Sequence, residues 1–139
     1  MTAGFAQANN EVCNMGTDVR YSGSTCVSIL TYGRHLFIAN VGDSRAIIIK
    51  QDPNNSRRKY PNWSFFVINE KIFSELGCIA TALTRDHKPD DPIESKVIIA
   101  AGGRIDSYRD SFGNKVGPER VWLMNEEIPG LAMSRSFGD

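Results

Sequence analysis

The close spacing of turn residues between positions 25 and 50 constrains this chain more than any other feature. Residues 25–30 and 35–40 are apolar and β-branched runs bracketed by Tyr32-Gly33, and residues 46–50 follow Gly42-Asp43-Ser44 at once. None of these runs has the length of an ordinary helix, so each fits a strand. Connections this short join antiparallel neighbours, which predicts an antiparallel meander with the Gly42-Asp43-Ser44 corner at the rim of a sheet. Residues 79–83 read as a return strand pairing with 46–50, which leaves 52–78 as an elongated hairpin insertion.

Helical signals flank this β-rich part. Residues 3–15 carry Phe5, Val12 and Met15 among polar residues and read as a helix broken by Gly16 and Asp18. In Asp91-Pro92-Ile93-Glu94 an N-cap carboxylate precedes proline at the first helical position, and the glutamate is spaced for a capping-box contact. That helix is expected to end near Ala101, where Gly102-Gly103 supplies a left-handed residue. Residues 104–107 then leave as a strand, 111–118 read as a polar loop, and 121–124 and 131–133 are short apolar pieces. The class is α+β, with helices beside mostly antiparallel strands.

At 139 residues the chain fits one domain. Its 16 Lys+Arg balance 16 Asp+Glu, so no global charge draws it to nucleic acid or anionic lipid. Arg57-Arg58-Lys59 with Tyr60 and Trp63 is one short patch and reads as a solvated loop. No apolar run reaches the roughly 18–20 residues of a membrane span, and residues 1–10 do not read as a signal peptide. The three cysteines, Cys13, Cys26 and Cys78, form neither a disulfide framework nor a CxxC site, which fits a reduced intracellular setting, cytoplasmic or nuclear. The sequons at Asn54 and Asn62 then carry no consequence.

On local grounds the residues able to do chemistry are few. His35 lies in an apolar strand and His87 in Arg85-Asp86-His87-Lys88-Pro89, and neither has the spacing of a zinc site. Asp86, Asp90, Asp91 and Glu94 lack EF-hand spacing, and capping and turn formation account for them. Ser22, Ser24 and Ser44 have no neighbouring base and no nucleophile elbow. Asp43, after a glycine at a strand end, reads locally as a turn residue.

The order of the motifs changes that reading. Ser22-Gly23-Ser24-Thr25, Ala39-Asn40-Val41-Gly42-Asp43-Ser44-Arg45-Ala46, Asp86-His87-Lys88-Pro89, Ala101-Gly102-Gly103-Arg104-Ile105 and the terminal Gly130 to Asp139 block resemble, in that order, the type-2C metal-dependent protein phosphatases. Five blocks in sequence are specific where one is not. The resemblance implies the central part of a two-sheet, mostly antiparallel β-sandwich flanked by helices. It also implies hydrolysis of phosphoserine or phosphothreonine in protein substrates by water activated on two Mg²⁺ or Mn²⁺ ions, chemistry suited to hard oxygen ligands.

Carried over residue by residue, the resemblance makes Asp43 a ligand of an additional metal and Thr25 a support behind the metal site. The family's two core ions are held by an Asp-Gly-His-Gly-Gly block and by aspartates nearer the C-terminus, blocks read here as lying outside the chain. Residues 106–129 correspond to the mobile flap that borders the active site, with Arg109, Arg120 and Trp122 as candidates to touch a phosphopeptide. The expectation is a fragment of a phosphatase, inactive alone and prone to associate through exposed sheet edges. The alternative is a binding or regulatory module that keeps part of the fold without catalysis.

Overall fold

The computed structural model describes residues 1–19, 22–52, 54, 64–66 and 78–138. They form an α+β arrangement whose described residues fall into two compact units. One comprises the described residues of Met1–Cys26, Val41–Asp43 and Asp86–Asp139, the other those of Val27–Asn40 and Ser44–Arg85. Arg57-Arg58-Lys59, Tyr60 and Trp63 lie outside the described residues.

In the second unit, β2 (Cys26–Tyr32) and β3 (His35–Val41) pair as a hairpin through Gly33, whose φ of +58° suits a residue without a side chain. The unit's other sheet has β4 (Ile47–Gln51) between β5 (Ser64–Phe66) and β6 (Cys78–Ala82), with Ile48 opposite both Phe65 and Thr81. The expected return strand is therefore present. Leu83 N–H extends its ladder to Ala46 O at 2.8 Å, and Thr84 Oγ1 accepts from Ala46 N–H at 2.9 Å. β4 is hydrogen-bonded on both edges, and Ala46, Ile47 and Ile49, in and beside it, are buried. Full burial of a side chain like Ile47 is worth about 1.5–3 kcal/mol.

The expected meander stops at two strands, because β4 pairs with β5 and β6 and not with β3. Both edges of β4 are occupied by β5 and β6, and at the corner both backbone polar groups of Gly42 bond to His87. His35, read from sequence as a packed strand histidine, is exposed and lies 6.3 Å from the Phe37 ring.

In the first unit, α1 (Thr2–Cys13) sets Phe5 5.4 Å from Phe137, and Asn9 Oδ1 accepts from Gly138 N–H at 3.1 Å. These contacts seat α1 beside β10 (Phe137–Gly138), which pairs with β1 (Gly23–Ser24). The second helix, α2 (Pro92–Ala100), starts and stops where its signals sit. Asp91 accepts from Ile93 N–H and Glu94 N–H at 2.9 and 3.4 Å, and Gly102 follows the helix at φ +84°. Ile98 is buried, and a Cβ on Gly103 would come within 2.9 Å of its side chain, so helix and strand meet where only glycine fits.

A three-stranded antiparallel sheet follows, ordered β7 (Gly103–Arg109), β8 (Lys115–Leu123) and β9 (Pro129–Leu131). Residues 111–118, expected as a loop, are a short turn followed by the start of β8. Asp110 makes so short a turn possible: its Oδ1 accepts from Phe112 and Asn114 N–H at 2.9 and 2.8 Å, and its backbone exchanges bonds with Gly113 and Asn114. Gly117-Pro118 is accommodated by a bulge: Asp106 faces Arg120 and Tyr108 faces Val116, so β8 spends extra residues there.

Candidate functional site

The Gly42-Asp43 corner is fixed from three sides within the first unit. Gly42 has φ +91°, and a Cβ there would lie 2.3 Å from Thr25 Cγ2 and 2.7 Å from Thr25 Cβ. Thr25 thus supports the corner by packing under a residue that must be glycine. From the other side, His87 N–H donates to Gly42 O at 3.0 Å while Gly42 N–H donates to His87 Nδ1 at 3.1 Å. This two-point clamp sets the direction in which the next side chain leaves. Asp43 leaves toward Lys88, and its carboxylate forms an ion pair with the Lys88 ammonium.

Behind His87 lies a polar network that spans about forty residues of sequence. His87 O accepts from Ser134 N–H at 3.0 Å, and Ser134 Oγ donates to Glu94 Oε2 at 2.6 Å. Arg135 holds the same carboxylate in a fork, Nε to Oε2 at 2.8 Å and an Nη to Oε1 at 2.6 Å. Glu94 is only 6 % exposed. The Arg135 hydrogen bonds hold its pKa below the ordinary value against the opposing effect of burial, with help from Ser134 and the nearby His87. The capping box expected from Asp91-Pro92-Ile93-Glu94 does not form, since Asp91 N–H donates to Lys88 O and the Glu94 carboxylate turns to the 134–135 segment. A guanidinium fork outcompetes one local backbone N–H.

Of the sequence candidates, Thr25 and Asp43 lie at this corner and Arg109, Arg120 and Trp122 lie in the β7-β8-β9 sheet. Trp122 is 3 % exposed, with its indole N–H on Asp106 O at 2.8 Å, the Tyr108 ring edge-on at 5.1 Å and the Arg104 guanidinium 5.3 Å over its face. It is an interior residue of the sheet, packed so closely on Gly130 that a Cβ there would sit 2.8 Å from the indole. Arg120 lies over the Tyr108 ring at 4.6 Å and donates to Gly130 O at 2.7 Å. Arg109 remains half exposed; it pairs with Asp106 at 3.1 Å and donates to Gly113 O.

Arg104, Asp106, Tyr108, Arg109, Trp122 and Glu127 wall a cavity of about 270 Å³. Lys115 and Arg109 beside Asp106 pull its carboxyl down to about 2, so the group is ionised throughout the physiological range. Sequence reasoning alone does not mark Lys88, Glu94 and Arg135 as site residues. Lys88 and Arg135 did lie inside recognised blocks, which was the signal available.

A divalent ion of the kind the resemblance implies needs several converging oxygen ligands. Among the described residues no group of three or more His, Cys, Asp or Glu side chains converges in this way, and the Asp43 carboxylate faces an ammonium. These residues alone do not make a metal centre.

Comparison with known proteins agrees with the motif order. The family model described as protein phosphatase 2C matches residues 2–139. The chain is 41 % identical over 120 residues to "Probable protein phosphatase 2C 52" of Arabidopsis thaliana, covering 85 % of this chain and 20 % of the relative. It is 38 % identical over 123 residues to "Probable protein phosphatase 2C 12" of Oryza sativa subsp. japonica, covering 88 % and 25 %. The chain therefore spans about a fifth to a quarter of the length of these curated relatives. A crystal structure of serine-threonine phosphatase 2C from Toxoplasma gondii superposes with a TM-score of 0.67 at 23 % identity, over 96 % of this chain and 37 % of that one, which shows the fold. On the match along residues 2–139, the chain belongs to the protein phosphatase 2C family.

Proposed function

We propose that the protein to which this chain belongs is a protein serine/threonine phosphatase that hydrolyses phosphoserine and phosphothreonine with Mg²⁺ or Mn²⁺. The observation that carries the reading is the family match over residues 2–139, together with five motif blocks in the family's order. The printed names of the relatives, each a probable protein phosphatase 2C, support it. The Asp-Gly-His-Gly-Gly block that the resemblance implies for the core ions does not occur in this sequence, so we expect the chain by itself to be inactive. A bound divalent pair would supply an activated water and charge neutralisation at the phosphoryl group.

What this chain contributes is positioning. Asp43 stands at a corner fixed by Thr25 and His87, where its carboxylate pairs with Lys88 and would be available to a bound divalent ion. We read Arg109, half exposed at the cavity wall, as the sheet residue that meets a phosphopeptide; Trp122 lines the same cavity, and Arg120 packs over the Tyr108 ring. We read the setting as intracellular, in keeping with three free cysteines. No helix among the described residues is long and apolar enough to cross a membrane. Among the described residues β2 and β3 form a two-stranded sheet, whose outer edges would give the isolated chain a route to self-association.

A second reading is a non-catalytic binding module, and one observation favours it: Asp43 is paired with Lys88. Full-length protein assayed on a phosphothreonine peptide separates the two. Release of phosphate with Mn²⁺ and its loss in chelator support the phosphatase; a folded protein inert with both Mn²⁺ and Mg²⁺ supports the module.

A further inference from the structure

The placement of Glu94 is not what helix formation asks of it. At the third position of α2 a glutamate ordinarily returns to the N-cap backbone, and that donor here is taken by Lys88 O. The carboxylate is instead buried and bonded to residues 40 and 41 positions away in sequence. A buried carboxylate requires partners that satisfy it, and Ser134 and Arg135 do so with three bonds of 2.6–2.8 Å.

Following those bonds outward gives the network a direction. Ser134, held by its hydroxyl to Glu94, gives its backbone N–H to His87 O at 3.0 Å. His87 in turn closes on both polar groups of the Gly42 backbone, at 3.0 and 3.1 Å. Gly42 precedes Asp43, so α2 is linked to the corner by hydrogen bonds of 2.6–3.1 Å. Nothing in the sheet or the helix needs this chain of bonds for its own ladder, because Gly42 and His87 lie outside every strand and helix.

We propose that Glu94 is a positioning residue for Asp43, acting through Ser134 and His87 on the Gly42 backbone. The activity part of this assignment rests on the phosphatase reading; the structural part does not. A residue that orients an active-site carboxylate from behind affects turnover more than substrate capture, and removal of such partners costs about 10–100-fold.

The test is made on full-length protein with Glu94→Gln, which keeps size and removes charge, and with Ser134→Ala, which removes one link and keeps the Glu94–Arg135 pair. Both are compared with wild type by amide hydrogen exchange and by kinetics on a phosphothreonine peptide. The expected result is faster exchange at Gly42 and Asp43, with amides of α2 and β7 protected as in wild type, and kcat lowered about tenfold at unchanged KM, in the range expected for partners behind a site. Unchanged protection at Gly42, or a loss spread evenly over α2, β7 and the corner, overturns the assignment and leaves Glu94 a structural ion pair. Should Glu94→Gln fail to fold, Ser134→Ala carries the same comparison. If wild type itself releases no phosphate, the phosphatase reading falls, and the exchange data alone decide whether Glu94 positions the corner.

Discussion

Alanine at position 42 meets two separable penalties, and the structure says how to pull them apart. At φ +91° an L side chain is strained, by about 1–2 kcal/mol on the scale of left-handed conformations. Its Cβ would also lie 2.3 Å from Thr25 Cγ2 and 2.7 Å from Thr25 Cβ, overlaps that typically cost about 1–3 kcal/mol to relieve by movement. Gly42→Ala should therefore destabilise by about 2–5 kcal/mol, the sum of the two. Thr25→Ser keeps the hydroxyl and removes the nearer clash, and Thr25→Gly removes both, leaving Thr25 Cα at 3.2 Å. In a double-mutant cycle read by urea unfolding, Gly42→Ala should cost less in the Thr25→Ser background than in wild type, and less again in the Thr25→Gly background, by about 1–3 kcal/mol in all. The backbone part should persist in both. Additivity of the two sites within about 0.5 kcal/mol would show that Thr25 does not press on the corner, and the account of Thr25 as its support would fail.

Two further outcomes follow from the β7-β8-β9 sheet. Trp122→Ala removes a buried ring and should cost about 3–5 kcal/mol, whereas Trp122→Phe keeps most of the ring contact and loses the bond to Asp106 O, at about 1–2 kcal/mol; equal costs in thermal unfolding would contradict the packing described. Asp106 has a folded pKa depressed from 3.8 to about 2 by Lys115 and Arg109, so its contribution to the sheet is complete above 3.8 and lost as pH falls toward 2. The side-chain carboxyl resonance of Asp106 should titrate in that low range, and Lys115→Ala should move the midpoint upward; an unmoved midpoint would refute the Lys115 contact as the leading cause.

Local signals in the sequence suffice where the chain's own neighbours decide the outcome. Asp91-Pro92 and Gly102 bound α2 because capping and left-handed termination are settled within a few residues. The hairpin at Gly33 and the pairing of β4 with β6 follow from apolar runs and turn residues in the same way. What sequence could not settle depends on distant partners. The Glu94 carboxylate is claimed by an arginine 41 positions away and the Gly42 backbone by a histidine 45 positions away, so the capping box does not form; the third strand forms as β4 but pairs with β5 and β6 and not with β3. Gly117-Pro118 looks like loop chemistry, yet a bulge absorbs it within β8. Asp43 was legible as a corner residue from Gly42-Asp43-Ser44, and as a candidate ligand through the motif order; its pairing with Lys88 was written in no local pattern. The interior place of Trp122 likewise depends on Tyr108 and Gly130, which reach it from neighbouring strands.

The most direct test of the whole account is a side-by-side assay of this chain and of the protein extended to the length of its relatives, on one phosphothreonine peptide with Mn²⁺. Phosphate release by the extended protein alone is the predicted result, with this chain supplying a positioned Asp43 corner and not the complete cation site. An extended, folded protein that stays inert with Mn²⁺ and Mg²⁺ would contradict it.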